Sequence, residues 1–134
     1  MEFHRGRLID HVHLRVKDLA TAKTFYRAVL ATVGVNIQHE SDKAFAADEL
    51  YVDVADDYVS RVHLAFQAKT REEVRAFHAA GLANGGTDNG KPSERSYHPG
   101  YYAAFLIDPD GNNIEAVFHG PNVRSATSVV ITPT

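Results

Sequence analysis

Apolar and polar residues alternate along two segments of the chain, and each segment precedes a helical pattern. In residues 8–16 most apolar side chains, those at 8, 12, 14 and 16, share one side of an extended chain, while His11 and His13 share the other with Ile9. Residues 62–68 repeat this alternation, with His63 on the polar side. The pattern therefore predicts two strands, each of which directs histidine away from its apolar face.

A helix is predicted after each strand, because apolar residues then recur every three or four positions. Asp18 is a suitable N-cap for the first helix, and Thr70 with Glu73 forms a capping-box pattern for the second. Gly34 and the glycine pair at 85–86 are typical of helix C-terminal ends. We expect both helices to pack on the apolar face of the sheet.

Further strands are predicted to be short, and they cover residues 35–39, 43–47, 49–54, 101–107 and 113–119. The last two flank Asp108-Pro109-Asp110-Gly111, a strong turn sequence. Residues 85–97 are rich in Gly, Ser and Asn, which favours a long loop with at most one short strand. The tail from 121 to 134 has only weak strand propensity.

An internal repeat joins these elements. Shifting the chain by 52 residues aligns His11 with His63 and gives seven identities in 24 positions. A shift of 50 residues pairs His13 with His63 instead, but it loses several of those identities, so we favour the first alignment. The repeat predicts one domain over 1–134 with module one at about 8–57, module two at about 60–120 and a tail at 121–134.

Composition restricts the possible chemistry. The chain has 134 residues, which suits one domain, and it lacks cysteine, which excludes disulfides and thiolate metal sites. Its net charge is -3 and its basic residues are scattered, so a nucleic acid partner is not expected. No apolar run is long enough to span a membrane, and no apolar segment of a secretory signal follows the first residues. We expect a cytoplasmic protein.

Three predicted strands direct His11, His63 and Glu115 away from their apolar faces, and the chain holds eight histidines. Two imidazoles and one carboxylate, with positions left for water and substrate, suit one divalent transition metal. The pattern does not distinguish Fe, Mn, Ni, Co and Zn. The histidines at positions 4, 39 and 78 are interpreted as a loop, a strand-end and a helix-surface residue, in that order.

The segments 11–30, 62–66 and 108–117 together resemble the glyoxalase/bleomycin resistance/extradiol dioxygenase superfamily, also called vicinal oxygen chelate. This resemblance implies an α+β fold of two tandem βαβββ modules, which form an open, cup-shaped β-sheet with helices on the outer face. It also implies a homodimer in many members, and it places metal ligands at His11, His63 and Glu115.

The resemblance suggests lyase or isomerase chemistry on a small oxygenated substrate, like that of a lactoylglutathione lyase, through a metal-stabilised enediolate. Asp53, or Glu49 on the same face, is a candidate fourth ligand or general base, and an ordinary exposed strand residue is the alternative for Asp53. One alternative is an extradiol-type dioxygenase, although Phe105 stands where those enzymes carry a tyrosine. The other is a metal-free protein that binds a small molecule or confers resistance.

Two further groups of residues are candidates for the site. His13 lies on the polar side near His11 and could act as an acid or base, or simply line a polar cavity. Tyr101 is a candidate catalytic residue on the same face as Phe105, and we expect Arg95, His98 and Phe105 to bind substrate. Aromatic packing at a dimer interface is the alternative for these residues. The sequence leaves open whether each site forms within one chain or between two.

Overall fold

The computed structural model describes residues 2 and 4–134, and it contains two successive units of one strand, one helix and three strands. The first unit comprises β1 (Val12–Val16), α1 (Leu19–Thr32), β2 (His39–Glu40), β3 (Ala44–Ala47) and β4 (Leu50–Val54). The second comprises β5 (His63–Gln67), α2 (Arg71–Ala83), β6 (Thr87–Glu94), β7 (Tyr102–Ile107) and β8 (Asn113–Phe118). The predicted α+β fold with two tandem βαβββ modules is confirmed.

Each module has its own open, four-stranded mixed sheet. The strand orders are β1-β4-β3-β2 and β5-β8-β7-β6. In both sheets the first and last strands of the module pair in parallel, and the other neighbours pair antiparallel. The parallel pairing brings distant residues together, since His63 lies opposite Asn113 and Ala65 lies opposite Glu115.

The helix starts follow the predicted capping. The Asp18 carboxylate accepts a hydrogen bond from the Thr21 N–H at 2.8 Å, and the Thr70 hydroxyl accepts one from the Glu73 N–H at 3.1 Å. The Glu73 carboxylate accepts from the N–H of Lys69 rather than from that of Thr70, so it reaches one residue further back than in the standard capping box.

One hydrophobic core joins both modules. The helices pack against each other, and the apolar face of each sheet contributes to the same cluster of buried residues. The largest fully buried side chains include Tyr26, Phe25, Phe45, Phe77 and Leu106. Because side chains alternate along a strand, the polar faces lie on the sides of the sheets away from the helices.

Two predictions for the second module and one for the first were wrong. Residues 87–94, expected to be mainly loop, form the eight-residue strand β6, whose pairing with β7 is irregular around Gly90. Backbone pairing with β7 outweighs the poor strand propensity of this segment. His78 is only 7% exposed and its Nε2 lies 2.8 Å from Asp88 Oδ1, so it is not a helix-surface residue. The strand expected at 35–39 is limited to β2, at His39–Glu40.

No helix in the described part of the chain is long and apolar enough to cross a membrane, and the cytoplasmic location stays a prediction. Residues 121–134 contain neither helix nor strand, and they are exposed. Arg124 of this tail donates a hydrogen bond to the Gln67 side chain at 3.0 Å, which ties the start of the tail to β5.

Candidate metal site

His63 and Glu115 meet on the polar face of the second sheet. His63 begins β5, Glu115 lies in β8, and the parallel pairing of these strands places His63 Nε2 2.8 Å from Glu115 Oε2. Two ligands of one metal ion, each about 2.1 Å from it, lie at roughly 3 Å from each other. The side chain of His63 is half exposed, whereas Glu115 is 2% exposed. The pair is therefore a buried carboxylate with an accessible imidazole beside it.

Tyr101 completes the hydrogen bonding of this carboxylate. Its hydroxyl donates to Glu115 Oε1 at 2.5 Å. Burial and the adjacent Glu115 carboxylate raise the pKa of Tyr101 above its ordinary value, so the phenol stays protonated and acts as a donor. The prediction that Tyr101 shares a face with Phe105 agrees with this geometry, since the Phe105 ring lies 6.0 Å from the His63 ring.

A histidine pair lies on the other side of Tyr101. His98 Nδ1 donates to the Pro99 carbonyl at 2.8 Å, so its Nε2 accepts from His119 Nδ1 at 2.9 Å. The rings of both histidines contact the ring of Tyr101 edge-on. Burial, and then the neighbouring His98, lower the pKa of His119. His119 was not among the predicted site residues, and its only signal in the sequence is that it follows Glu115 by four residues, on the same side of an extended chain.

Arg95 links two neighbouring strands of the second sheet. Its guanidinium donates to the carbonyls of Lys91 and Ala103, at 2.6 and 3.4 Å, and lies 5.1 Å from the centre of the Phe105 ring. These contacts hold β6 and its neighbour β7 together, and they also fix the ring of Phe105. Of the three residues predicted to bind substrate, Phe105 lies nearest the His63–Glu115 pair, while Arg95 and His98 have internal partners.

The first module carries a second histidine–carboxylate pair. His13 Nε2 donates to Asp53 Oδ1 at 2.8 Å, and Arg15 Nε lies 3.7 Å from the same oxygen. Beside the pair is an open depression of about 380 Å³, lined by His11, His13, Ala46, Asp48, Leu50 and Tyr51. His11 Nδ1 lies 2.6 Å from Asp10 Oδ1. Glu49, the alternative to Asp53, is exposed.

The two pairs occupy equivalent positions in their sheets. His13 lies opposite Tyr51, two residues before Asp53, and His63 lies opposite Asn113, two residues before Glu115. Strand pairing therefore matches His13 with His63, a separation of 50 residues, whereas the helix N-caps differ by 52. Both alignments of the repeat have a structural counterpart, one in the strands and one in the helices.

The three predicted metal ligands do not converge in one chain. Among the residues that the structure describes, no group of three or more His, Asp or Glu side chains could hold a metal ion. His63 and Glu115 are together, while His11 belongs to the first module and pairs with Asp10. One chain thus presents the His63–Glu115 pair on one polar face and further histidines on another.

Comparison with known proteins identifies the class. The model of the Glyoxalase/Bleomycin resistance protein/Dioxygenase superfamily matches residues 8–116, so the chain belongs to this superfamily. A glyoxalase/bleomycin resistance protein from Albidiferax ferrireducens T118 is 32% identical, with a TM-score of 0.72 over 82% of this chain and 97% of that one.

More distant solved structures share the fold. A family enzyme from Burkholderia phytofirmans PsJN is 20% identical, with a TM-score of 0.63 over 81% of this chain and 95% of that one. A lactoylglutathione lyase from Agrobacterium tumefaciens is 21% identical, with a TM-score of 0.57 over 85% and 95%. A comparison with curated proteins finds no match.

Proposed function

We propose that this protein is a divalent-metal-dependent lyase or isomerase that acts on a small oxygenated substrate. The observation that carries the proposal is the buried Glu115 carboxylate, held between His63 and the Tyr101 hydroxyl. Burying a carboxylate is costly unless it is paired or coordinates a metal. A ligand pair at 2.8 Å, one member of which is accessible, suits a transition metal that keeps positions open for substrate.

We further propose that the metal is shared between two copies of the chain. His63 and Glu115 of one copy would supply two ligands, and His11 of a second copy would supply the third. Support comes from the placement of both polar faces on the outer sides of the sheets, where a second chain has access to them. The exposed Tyr51 of β4, at 40%, lines the same depression as His11 and His13 and is surface that such a dimer would cover.

The bound metal would supply positive charge to stabilise the negative charge that develops on substrate oxygens. The residues of the chain have separate roles around it. Tyr101 holds one oxygen of Glu115 by hydrogen bonding and fixes the carboxylate orientation. Asp53 accepts from His13 Nε2, which leaves His13 Nδ1 as the nitrogen available to take a proton from carbon next to a carbonyl. Phe105 provides an apolar wall beside His63.

The resemblance in fold to the lactoylglutathione lyase from Agrobacterium tumefaciens is compatible with this reaction class. A metal-free protein that binds a small molecule is the second candidate. This candidate is favoured because the described residues of a single chain contain no group of three possible metal ligands. The two candidates differ in whether ligand binding survives removal of metal.

The first experiment measures bound metal in protein purified without chelator. We expect about one Fe, Mn, Ni, Co or Zn per chain, and loss of that metal in His63→Ala and Glu115→Gln. His39→Ala is the matched control, because His39 is an exposed histidine of β2 outside the site. Full metal content in Glu115→Gln would contradict the proposal, and failure of the wild type to bind any of these ions would favour the metal-free candidate.

A mixing experiment tests the shared site. His11→Ala and Glu115→Gln are each expected to bind no metal alone. In a mixed dimer of the two variants, one site would hold both changes and the other would hold none, so we expect one metal per dimer. If each site formed within a single chain, the mixture would bind no more metal than the separate variants.

A further inference from the structure

A buried carboxylate at the turn before β8 has four hydrogen-bond donors. Asp108 is 4% exposed. Its Oδ1 accepts from the N–H groups of Asp110 and Asn112, at 2.9 and 2.8 Å. Its Oδ2 accepts from the Asn112 side-chain amide at 2.9 Å and from the Tyr26 hydroxyl at 2.5 Å. All four lone-pair directions of the carboxylate are thus used, which offsets the cost of its burial.

Asn112 carries this network to the strand that holds His63. Asn112 is fully buried, and its side-chain oxygen accepts from the Val62 N–H at 2.8 Å. The next backbone amide, that of Asn113, donates to the Val62 carbonyl at 3.0 Å. Val62 directly precedes His63, and Glu115 follows Asn112 by three residues. These two hydrogen bonds, which join Val62 to Asn112 and Asn113, therefore fix the register between the starts of β5 and β8.

The donor from Tyr26 comes from the other module. Tyr26 lies in α1 and is fully buried against Phe25 and Phe45. A second link from the first module is the Lys17 N–H, which donates to Asp110 Oδ1 at 2.9 Å. The turn between β7 and β8 is thus fastened both to its own sheet and to the first module.

From this geometry we infer that Tyr26, Asp108 and Asn112 form a positioning network that sets His63 and Glu115 in register for binding one ligand between them. The network touches neither His63 nor Glu115 through side chains, and it acts through the backbone of Val62 and the start of β8. Its effect on metal affinity rests on the function proposed above, whereas its effect on the geometry of the pair does not.

The test compares Asn112→Ala with Val29→Ala, a fully buried control in α1 that lies outside the network. In the metal-free protein we expect the Val62 amide to exchange about tenfold faster in Asn112→Ala, and the contact between the His63 and Phe105 rings, measured by nuclear Overhauser effects, to weaken. The control should change neither. Unchanged exchange and ring contacts in Asn112→Ala would overturn the inference.

The second measurement is a titration with Co²⁺, in which the absorption of the ion reports its binding. We expect the Kd of Asn112→Ala to rise about tenfold, which is the low end of the effect of outer-shell substitutions on metal sites, and that of Val29→Ala to stay unchanged. Tyr26→Phe removes one hydroxyl and keeps the ring, and it should shift the same measurements in the same direction by less. An equal rise in Kd for the control variant would overturn the positioning role.

The two proposals fail separately. If wild type binds no Co²⁺ but Asn112→Ala still loosens Val62 and the His63 ring, the proposed function is wrong and the positioning inference stands. If wild type binds Co²⁺ and Asn112→Ala leaves both the geometry and the Kd unchanged, the metal site stands and the positioning inference is wrong. Tyr26→Phe decides the question by the same measurements if Asn112→Ala does not fold.

Discussion

Replacing Tyr26 by phenylalanine removes a single oxygen atom from the buried network between the modules. The hydroxyl donates to Asp108 Oδ2 at 2.5 Å, and Tyr26 is fully buried, so water cannot easily replace it. A hydrogen bond to a charged group contributes about 1.5–3 kcal/mol. Asp108 keeps its other three donors in the variant. We therefore expect the free energy of unfolding to fall by about 2 kcal/mol.

Urea denaturation at pH 7 measures this loss. We expect the midpoint to fall while the dependence on urea concentration stays the same, because the surface exposed on unfolding does not change. For a domain of this size, a loss of about 2 kcal/mol corresponds to a decrease in Tm of about 7 °C. A loss below about 0.5 kcal/mol would show that the hydroxyl does not stabilise the Asp108 carboxylate, and it would refute the reasoning.

The pH dependence of the same pair gives an independent check. Burial first, and then the Asp108 charge, raise the pKa of Tyr26 well above its ordinary value of 10.0. A group whose pKa is raised in the folded state contributes stability that is complete below its unfolded pKa and is lost as pH rises above it. Above pH 10 the wild type should therefore lose the stability that Tyr26 contributes, which Tyr26→Phe does not have. The difference in the free energy of unfolding between the two proteins should then narrow. A constant difference through that range would contradict the pKa argument.

Two further predictions concern stability. Three carboxylates have a lowered pKa. Hydrogen bonds with Asp57 and Arg15 lower the pKa of Asp56 to about 2. The Thr21 N–H lowers the pKa of Asp18, and the Gly90 N–H and then His78 lower the pKa of Asp88. Lowered carboxylate pKa values give stability above the unfolded pKa that is lost as pH falls, so urea midpoints should decrease from about pH 4 toward pH 2; an unchanged midpoint would refute this. Gly81→Ala should destabilise the protein by about 1–3 kcal/mol, because its Cβ would lie 2.2 Å from Leu106 Cδ1 in the core. Equal or higher stability of this helix variant in urea would show that Leu106 moves aside without cost.

Local patterns predicted most of the first module and both helices. Asp18 and Thr70 cap their helices as expected, because capping depends on a side chain and backbone groups only three residues away. The turn at residues 108–111 likewise follows from Pro and Gly at set positions. In contrast, β6 was not predicted, since its strand form depends on pairing with β7 rather than on its own residues.

In the candidate site, too, some features follow from local patterns and others depend on distant parts of the chain. Alternation along the strands indicated that His63 and Glu115 lie away from the apolar faces and that Tyr101 shares a face with Phe105, because side chains on a strand point to opposite sides in turn. It did not indicate that Glu115 is buried, or that the Tyr101 hydroxyl donates to it. Burial of a strand residue depends on the neighbouring strands and loops that cover it, and these come from distant parts of the sequence.

The sequence by itself determined the class of the fold, the two modules and the faces on which the candidate residues lie. Tertiary structure alone decided which of those residues meet. His63 meets Glu115 and His13 meets Asp53 because the first and last strands of each module pair in parallel, across separations of 52 and 40 residues. His11 remains in the first module with Asp10, because the shared helical core keeps the two polar faces on the outer sides of the sheets. Register between distant strands is set by packing and pairing of the whole sheet, which no local pattern of residues encodes.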